Sequence, residues 1–320
     1  MTTTGKPSVP DSWDTYWQGT RDADSYASGG ARHPAITAFW NESLPPFLAD
    51  ERLRVLDIAT GSGAVVESLF RNAPDSPPDI TCVDISAAAV ENVSKRYPSV
   101  TTVVSDARKV PLEDAGFDLV TSQFGIEYAG AEAFDEAARL LAPGGTLLML
   151  MHIRPGVVYK ECWTSLDAVR RMKRSKFLPL ARDFFEAGFA AVGGADRAPY
   201  DQAGIALNPA LRKVERILSD LGEDVAGGTV SKLYADIERI HTRIQHYEPA
   251  EVIEWLSQMM IELDAYEARM DSMCQAAMDK KAFRNLRKRL EGQGLSITAG
   301  KSLLPGKSSL PVAWVLHAVR

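Results

Sequence analysis

Val55-Leu-Asp-Ile-Ala-Thr-Gly-Ser-Gly-Ala-Val65 is the stretch that decides the fold of this 320-residue chain. An apolar run over residues 53–58 ends in an acid and breaks at once into small residues, and helix-forming sequence follows from Ala64 to Asn72. That order reads as strand, tight glycine turn, helix. Gly61 and Gly63 carry no Cβ, so the backbone there can take positive φ and lie close to a ligand. The helix start behind them offers unpaired N–H groups. The turn is suited to cradling a nucleotide-like molecule, but it is not a dinucleotide fingerprint: the third glycine of G-x-G-x-x-G is missing, because position 66 is Val.

Downstream segments repeat the strand-to-acid pattern. Residues 79–84 read as a second strand ending in Asp84, about 20 residues past the glycines, where an acid can bind both hydroxyls of a ribose. A third strand over residues 100–105 runs into Asp106-Ala107, and a fourth, over 117–122, leads into Gln123-Phe-Gly-Ile-Glu-Tyr128. A helix from Ala131 to Leu141 closes on Ala142-Pro-Gly-Gly145 before a fifth strand over 146–152.

Taken in order, these pieces resemble the class I S-adenosylmethionine (SAM) methyltransferases, whose first motif is D-x-G-x-G-x-G. The departure is Ala59, where the first glycine of that motif usually stands. The resemblance covers residues 30–153 and 294–320. It implies an α/β, Rossmann-like seven-stranded sheet of order 3-2-1-4-5-7-6 with strand 7 antiparallel. It also implies SAM as cofactor, S-adenosylhomocysteine as product, and no metal. Residues Ala59, Thr60, Gly61, Ser62 and Gly63 would approach the methionine part, Asp84 with Ile85 the ribose, and Asp106 with Ala107 the adenine. Gln123 would lie by the reactive end. Related methyltransferases cover the cofactor with an N-terminal helix, so residues 1–45 are expected to form a cap, with Arg32 as partner for the methionine carboxylate. Trp13, Tyr16, Trp17 and Tyr26 make this segment aromatic.

The matching sixth and seventh strands come only at residues 295–299 and 310–319. The expected core is therefore 46–153 with 294–320, and 154–293 is a helical insertion between strands 5 and 6. Apolar spacing places one helix over 157–187, broken or kinked at Pro179, and another ending at Gly222. Leu233, Ile237, Ile240, Ile244 and Tyr247, then Val252, Leu256, Met259, Leu263, Tyr266, Met270 and Met273, continue a 4-3 spacing. This reads as a helical hairpin, packed within one bundle or serving as a homodimer seam or substrate lid. Residues 170–176 and 280–289 are basic, but each interleaves with apolar positions at helical spacing, as a solvated face does.

The net charge is −6, and residues 153–293 hold 22 basic against 21 acidic side chains. No broad basic surface points to nucleic acid. Cys82, Cys162 and Cys274 have neither zinc-site spacing nor a disulfide framework. No apolar run reaches membrane-spanning length, and the first residues lack a secretion-signal core, so a cytoplasmic setting is expected. The expected reaction is in-line transfer of the sulfonium methyl to an O or N atom of a small metabolite or natural product. Glu127, Tyr128 and His152, near the ends of strands 4 and 5, are the candidate catalytic groups. For His152 a structural role, and for Glu127 an exposed helix-start position, are the plain alternatives. The competing readings are methylation of RNA or protein through the basic clusters, and a non-catalytic SAM-binding scaffold.

Overall fold

A computed structural model describes residues 13, 14, 17, 33–73, 75–305 and 310–320. The chain divides into two compact units, Met1–Lys160 with Met273–Arg320 and Glu161–Ser272.

The first unit is built on a seven-stranded sheet of order β3-β2-β1-β4-β5-β7-β6. Its strands are β1 (Arg54–Ile58), β2 (Asp79–Asp84), β3 (Thr101–Val104), β4 (Phe117–Gln123), β5 (Leu141–His152), β6 (Ser296–Leu303) and β7 (Ala313–Val319). Strands β1 to β5 pair in parallel, while β7 runs antiparallel to both β5 and β6. The order and direction are those the resemblance implied.

Alternate residues of each strand serve opposite faces. Val55, Ile80, Leu119, Leu148 and Val315 pack under α1 (Pro34–Ser43), α2 (Ala64–Asn72) and α3 (Ala87–Arg96) through Trp40, Leu69 and Val93. Leu56, Val120, Leu147 and Leu316 meet the other face, beneath α4 (Ala131–Leu140) and Phe283, Leu286 and Leu290 of a later helix. Burying each such Val, Leu or Phe is worth about 1.5–3 kcal/mol. The β1–β2–β4 centre, apolar on both faces, is therefore the rigid base for the loops at its carboxyl ends.

The second unit is helical: most of α5 (Val157–Arg174), then α6 (Phe177–Val192), α7 (Ala198–Leu221), α8 (Thr229–Thr242) and most of α9 (Pro249–Ala276). The break expected at Pro179 lies earlier, at Lys176, which takes a left-handed conformation (φ 59°) between α5 and α6. Pro179 then sits in the first turn of α6, where its missing N–H costs nothing. Gly222 ends α7 with φ 90°.

The 4-3 spaced residues of α8 and α9 turn inward. Leu233, Ile237, Ile240, Val252, Leu256 and Leu263 share one core with Val169 and Met172 of α5, Phe185 of α6 and Val214 of α7. Ile244 falls in a short 3₁₀ turn and Tyr247 beyond it. The spacing is thus that of intramolecular bundle packing.

Helix α10 (Lys280–Glu291), read from sequence as part of the insertion, falls within the sheet unit. Its basic residues 280–289 flank a buried stripe of Phe283, Leu286 and Leu290, and Arg289 pairs with Asp135. Among the described residues no helix is long and apolar enough to cross a membrane.

Candidate functional site

The carboxyl ends of β1, β2, β3 and β4 enclose a cavity of about 360 Å³. Each strand contributes its next few residues: Ala59 and Gly61 after β1, Asp84 and Ile85 at β2, Asp106 to Arg108 after β3, Phe124 and Gly125 after β4. Tyr128, Trp13 and Trp17 complete the wall. Crevices at strand carboxyl ends are where open α/β sheets bind ligands, and the volume lies in the small-molecule range.

Backbone conformation shapes the floor. Ala59 has φ 55°, so the chain keeps the left-handed turn although a side chain stands where glycine is usual. An L-residue there costs roughly 1–2 kcal/mol. Gly125 makes room for it: a Cβ on Gly125 would lie 2.6 Å from the Ala59 Cβ and 2.7 Å from its carbonyl oxygen. Phe124, next to that glycine, is also left-handed (φ 54°). Such strain is held where the surroundings over-determine it, often at functional sites.

Two buried carboxylates lock the loop. Asp57 accepts hydrogen bonds from the hydroxyls of Thr60 (2.6 Å) and Thr121 (2.8 Å), tying the glycine turn to β4. Burial raises its pKa to about 7 against the lowering effect of those two bonds. Asp84 accepts from the Gly61 N–H and the Ser86 N–H, both at 2.9 Å. Its pKa is also raised, by burial first, with the backbone N–H bonds acting in the opposite direction. Each oxygen keeps a lone pair for a ligand hydroxyl. Asp106 differs: Arg108 grips it through three contacts of 2.5–3.0 Å, and these hydrogen bonds hold its pKa below the ordinary value.

Behind the aromatic wall lies a buried pair. Glu127, expected as an exposed helix-start acid in the plain reading, has a fully buried side chain, because the 3₁₀ turn Ile126–Ala129 folds it inward. Its Oε1 accepts from the His152 backbone N–H and meets His152 Nδ1, both at 2.8 Å. Glu127 Oε2 is buried without a hydrogen-bond partner among the described residues. Phe124 stacks on the His152 ring at 4.4 Å, and Tyr128 meets it edge-on at 5.7 Å. Tyr128 also meets Trp13 at 5.2 Å.

Of the residues singled out from sequence, Ala59, Gly61, Asp84, Ile85, Asp106, Ala107 and Tyr128 line the cavity. Thr60 turns to Asp57, and Gly63 caps α2 with φ 78°. Ser62 and Gln123 are not in the lining; the Gln123 side-chain Oε1 accepts from Trp40 Nε1 at 2.5 Å. Glu127 and His152 lie one layer behind, and Arg32 is outside the described residues. Sequence reading passed over Phe124, Gly125 and Arg108, and over the anchoring role of Asp57. The acid at a strand end, three residues from a Thr, was the available signal for Asp57.

Residues 56–149 match the family model described as "Methyltransferase domain". The matched stretch runs from β1 into β5 and lies within the sheet unit. Demethylmenaquinone methyltransferase of Chlamydia trachomatis is 36% identical over 120 residues, covering 36% of this chain and 51% of the relative. Malonyl-[acyl-carrier protein] O-methyltransferase of Geobacter sulfurreducens is 28% identical over 68% of this chain and 84% of its own length. A crystal structure of a SAM dependent methyltransferase from Aquifex aeolicus is similar over 38% of this chain and 73% of that one, at 16% identity and a TM-score of 0.30. The chain spans about half the length of the demethylmenaquinone relatives it matches.

Proposed function

We propose that this protein is a SAM-dependent methyltransferase acting on an O or N nucleophile of a small metabolite or natural product. The observation that carries the reading is the cavity at four strand ends, with the Gly61–Asp84 lock on its floor and Glu127–His152 behind its wall. The residues present fit the cofactor. Gly61 is bare where a Cβ would come within 2.8 Å of the Trp17 ring, and Asp84 is buried at the cavity with acceptor capacity to spare. Asp84 would hold the ribose, Ala107 would lie by the adenine, and Ala59 and Gly61 by the methionine part. Asp106, engaged by Arg108, would meet the adenine amino group as a member of an ion pair.

The cofactor supplies a methyl group already activated for displacement, so the chain must chiefly position the acceptor and exclude water. Trp13, Phe124 and Tyr128 give the cavity apolar walls for that purpose. An acceptor that carries a proton at pH 7 needs a base. The carboxylate of Glu127 would fix the proton of His152 on Nδ1, leaving the Nε2 lone pair to draw the acceptor's proton through one bridging water, since the ring lies a layer behind the cavity wall. Glu127 then stabilises the imidazolium that results. The named relatives act on demethylmenaquinone and on malonyl-[acyl-carrier protein], as their names state, and neither acceptor is a nucleic acid. Arg170 and Lys173 of the basic run are taken up by Glu267, Asp271 and Asp264, which disfavours a basic groove for RNA.

Calorimetric titration with SAM and S-adenosylhomocysteine tests the cofactor assignment. Micromolar binding by the wild type, weakened at least 100-fold in Asp84→Ala, is expected. No binding of either ligand at millimolar concentration would overturn it.

A further inference from the structure

We propose that the helical unit carries an anion site, built from Arg171, Arg174, Lys213 and Arg216, that takes the phosphate group of a small molecule. These four cations, with Ser175 and Ile217, line a hollow of about 260 Å³ lying wholly within that unit.

The basic run on α5 divides into two faces. Arg170 and Lys173, three residues apart, are neutralised by Asp264, Glu267 and Asp271 of α9. Arg171 and Arg174, also three apart, turn to the hollow, where Lys213 and Arg216 of α7 repeat the spacing. Among the described residues only two acids offset these four: Asp220 meets Arg171 at 2.7 Å, and Asp167 lies 3.8 Å from Arg171 and 4.0 Å from Arg174.

Arg171 and Arg174 have a structural reason to be basic, since cations in a last helical turn offset the helix dipole. That reason does not reach Lys213 and Arg216. They lie more than a turn from the end of α7, are exposed, and make no ion pair among the described residues. Like charges gathered in one concavity repel unless an anion joins them. The Ser175 hydroxyl is turned back to the Met172 carbonyl (2.6 Å), and Ile217 is buried, so these two form a floor and the cations supply the donors. Three guanidinium groups and an ammonium suit the three oxygens and double charge of a phosphate monoester better than a single carboxylate.

The site does not rest on the methyl-transfer reading, and parallel SAM titrations keep the two separable. The probe is inorganic pyrophosphate, titrated by calorimetry into the full chain at ionic strength held constant with sodium chloride. One saturable site of submillimolar Kd is expected. Lys213→Gln/Arg216→Gln raises that Kd at least tenfold while leaving SAM binding within twofold and Tm unchanged. Equal affinity in the double variant, or heat that vanishes once ionic strength is fixed, overturns the site. A second arm separates a free phosphate from a lipid headgroup. Binding confined to phosphatidic acid vesicles, with no saturable pyrophosphate uptake, would assign the cations to a membrane surface and also overturn it.

Discussion

The sheet unit and the helical unit treat their polar groups in opposite ways. In the first, Asp57, Asp84, Glu127 and His152 are buried among strand ends, each within reach of backbone or side-chain donors. In the second, the interior is apolar and the charges lie outside in pairs such as Arg170 with Glu267 and Asp271. Burying a carboxylate costs free energy unless donors surround it. The sheet unit carries that cost where a ligand is to be held, whereas the helical unit avoids it. On the proposed function, buried charge marks where the chemistry is, whereas the exposed pairs of the helical unit serve its surface.

That contrast breaks most readily at Glu127. Glu127→Gln is expected to lower turnover about 10²–10⁴-fold, the range of general-base contributions, with SAM affinity changed less than threefold. Near-normal turnover would make the pair structural.

Gly125→Ala comes next. Its Cβ would meet the Ala59 Cβ at 2.6 Å and the Ala59 carbonyl oxygen at 2.7 Å, so a loss of about 1–3 kcal/mol in stability is expected. Denaturant unfolding measures it, and weaker SAM binding should accompany it because Ala59 lines the cavity. The double variant Ala59→Gly/Gly125→Ala should recover the part of the loss owed to the Cβ–Cβ contact, while the 2.7 Å contact with the Ala59 carbonyl oxygen remains. If it does not, the two positions are not coupled as described.

Asp57 sharpens the comparison through pH. Its folded pKa is raised to about 7 by burial, well above the ordinary carboxylate value of 3.8. The folded state thus binds the extra proton, and the stability this group contributes is present below about pH 4 and lost as pH rises toward 7. The slope from this group approaches about 1.4 kcal/mol per pH unit at its steepest. Asp57→Asn should flatten the stability profile between pH 4 and 7; an unchanged slope would mean that Asp57 titrates normally. The smallest effect belongs to the helical unit. Arg170→Ala should cost no more than about 1 kcal/mol, as exposed ion pairs do, and leave SAM binding untouched.

The sequence made the sheet legible because each strand end carried its own signal. Hydrophobic runs closed by Asp57, Asp84 and Asp106, with glycines only at the first turn, gave the strand order through resemblance. It also identified seven of the residues that line the cavity. Glu127 resisted the same reading. A Glu in Gly-Ile-Glu-Tyr looks like a solvated helix start, and only the inward roll of the 3₁₀ turn onto His152 buries it. The helical unit resisted for another reason: 4-3 spacing is shared by dimer seams, lids and ordinary bundles. Which of these packings the spacing serves depends on what faces it, here α5, α6 and α7.

By itself the sequence determined the strand–turn–helix order and the place of Asp84 at a strand end, because these depend on local period, glycine and spacing, while the direction of each strand followed from the family resemblance. Tertiary structure alone decided that Ala59 and Gly125 share one turn's volume, that Glu127 and His152 form a buried pair, and that Arg171 and Arg174 meet Lys213 and Arg216. Each of these joins residues far apart in the chain or turned by a single backbone bend. No periodicity encodes such a meeting, because its free energy exists only once both partners are packed.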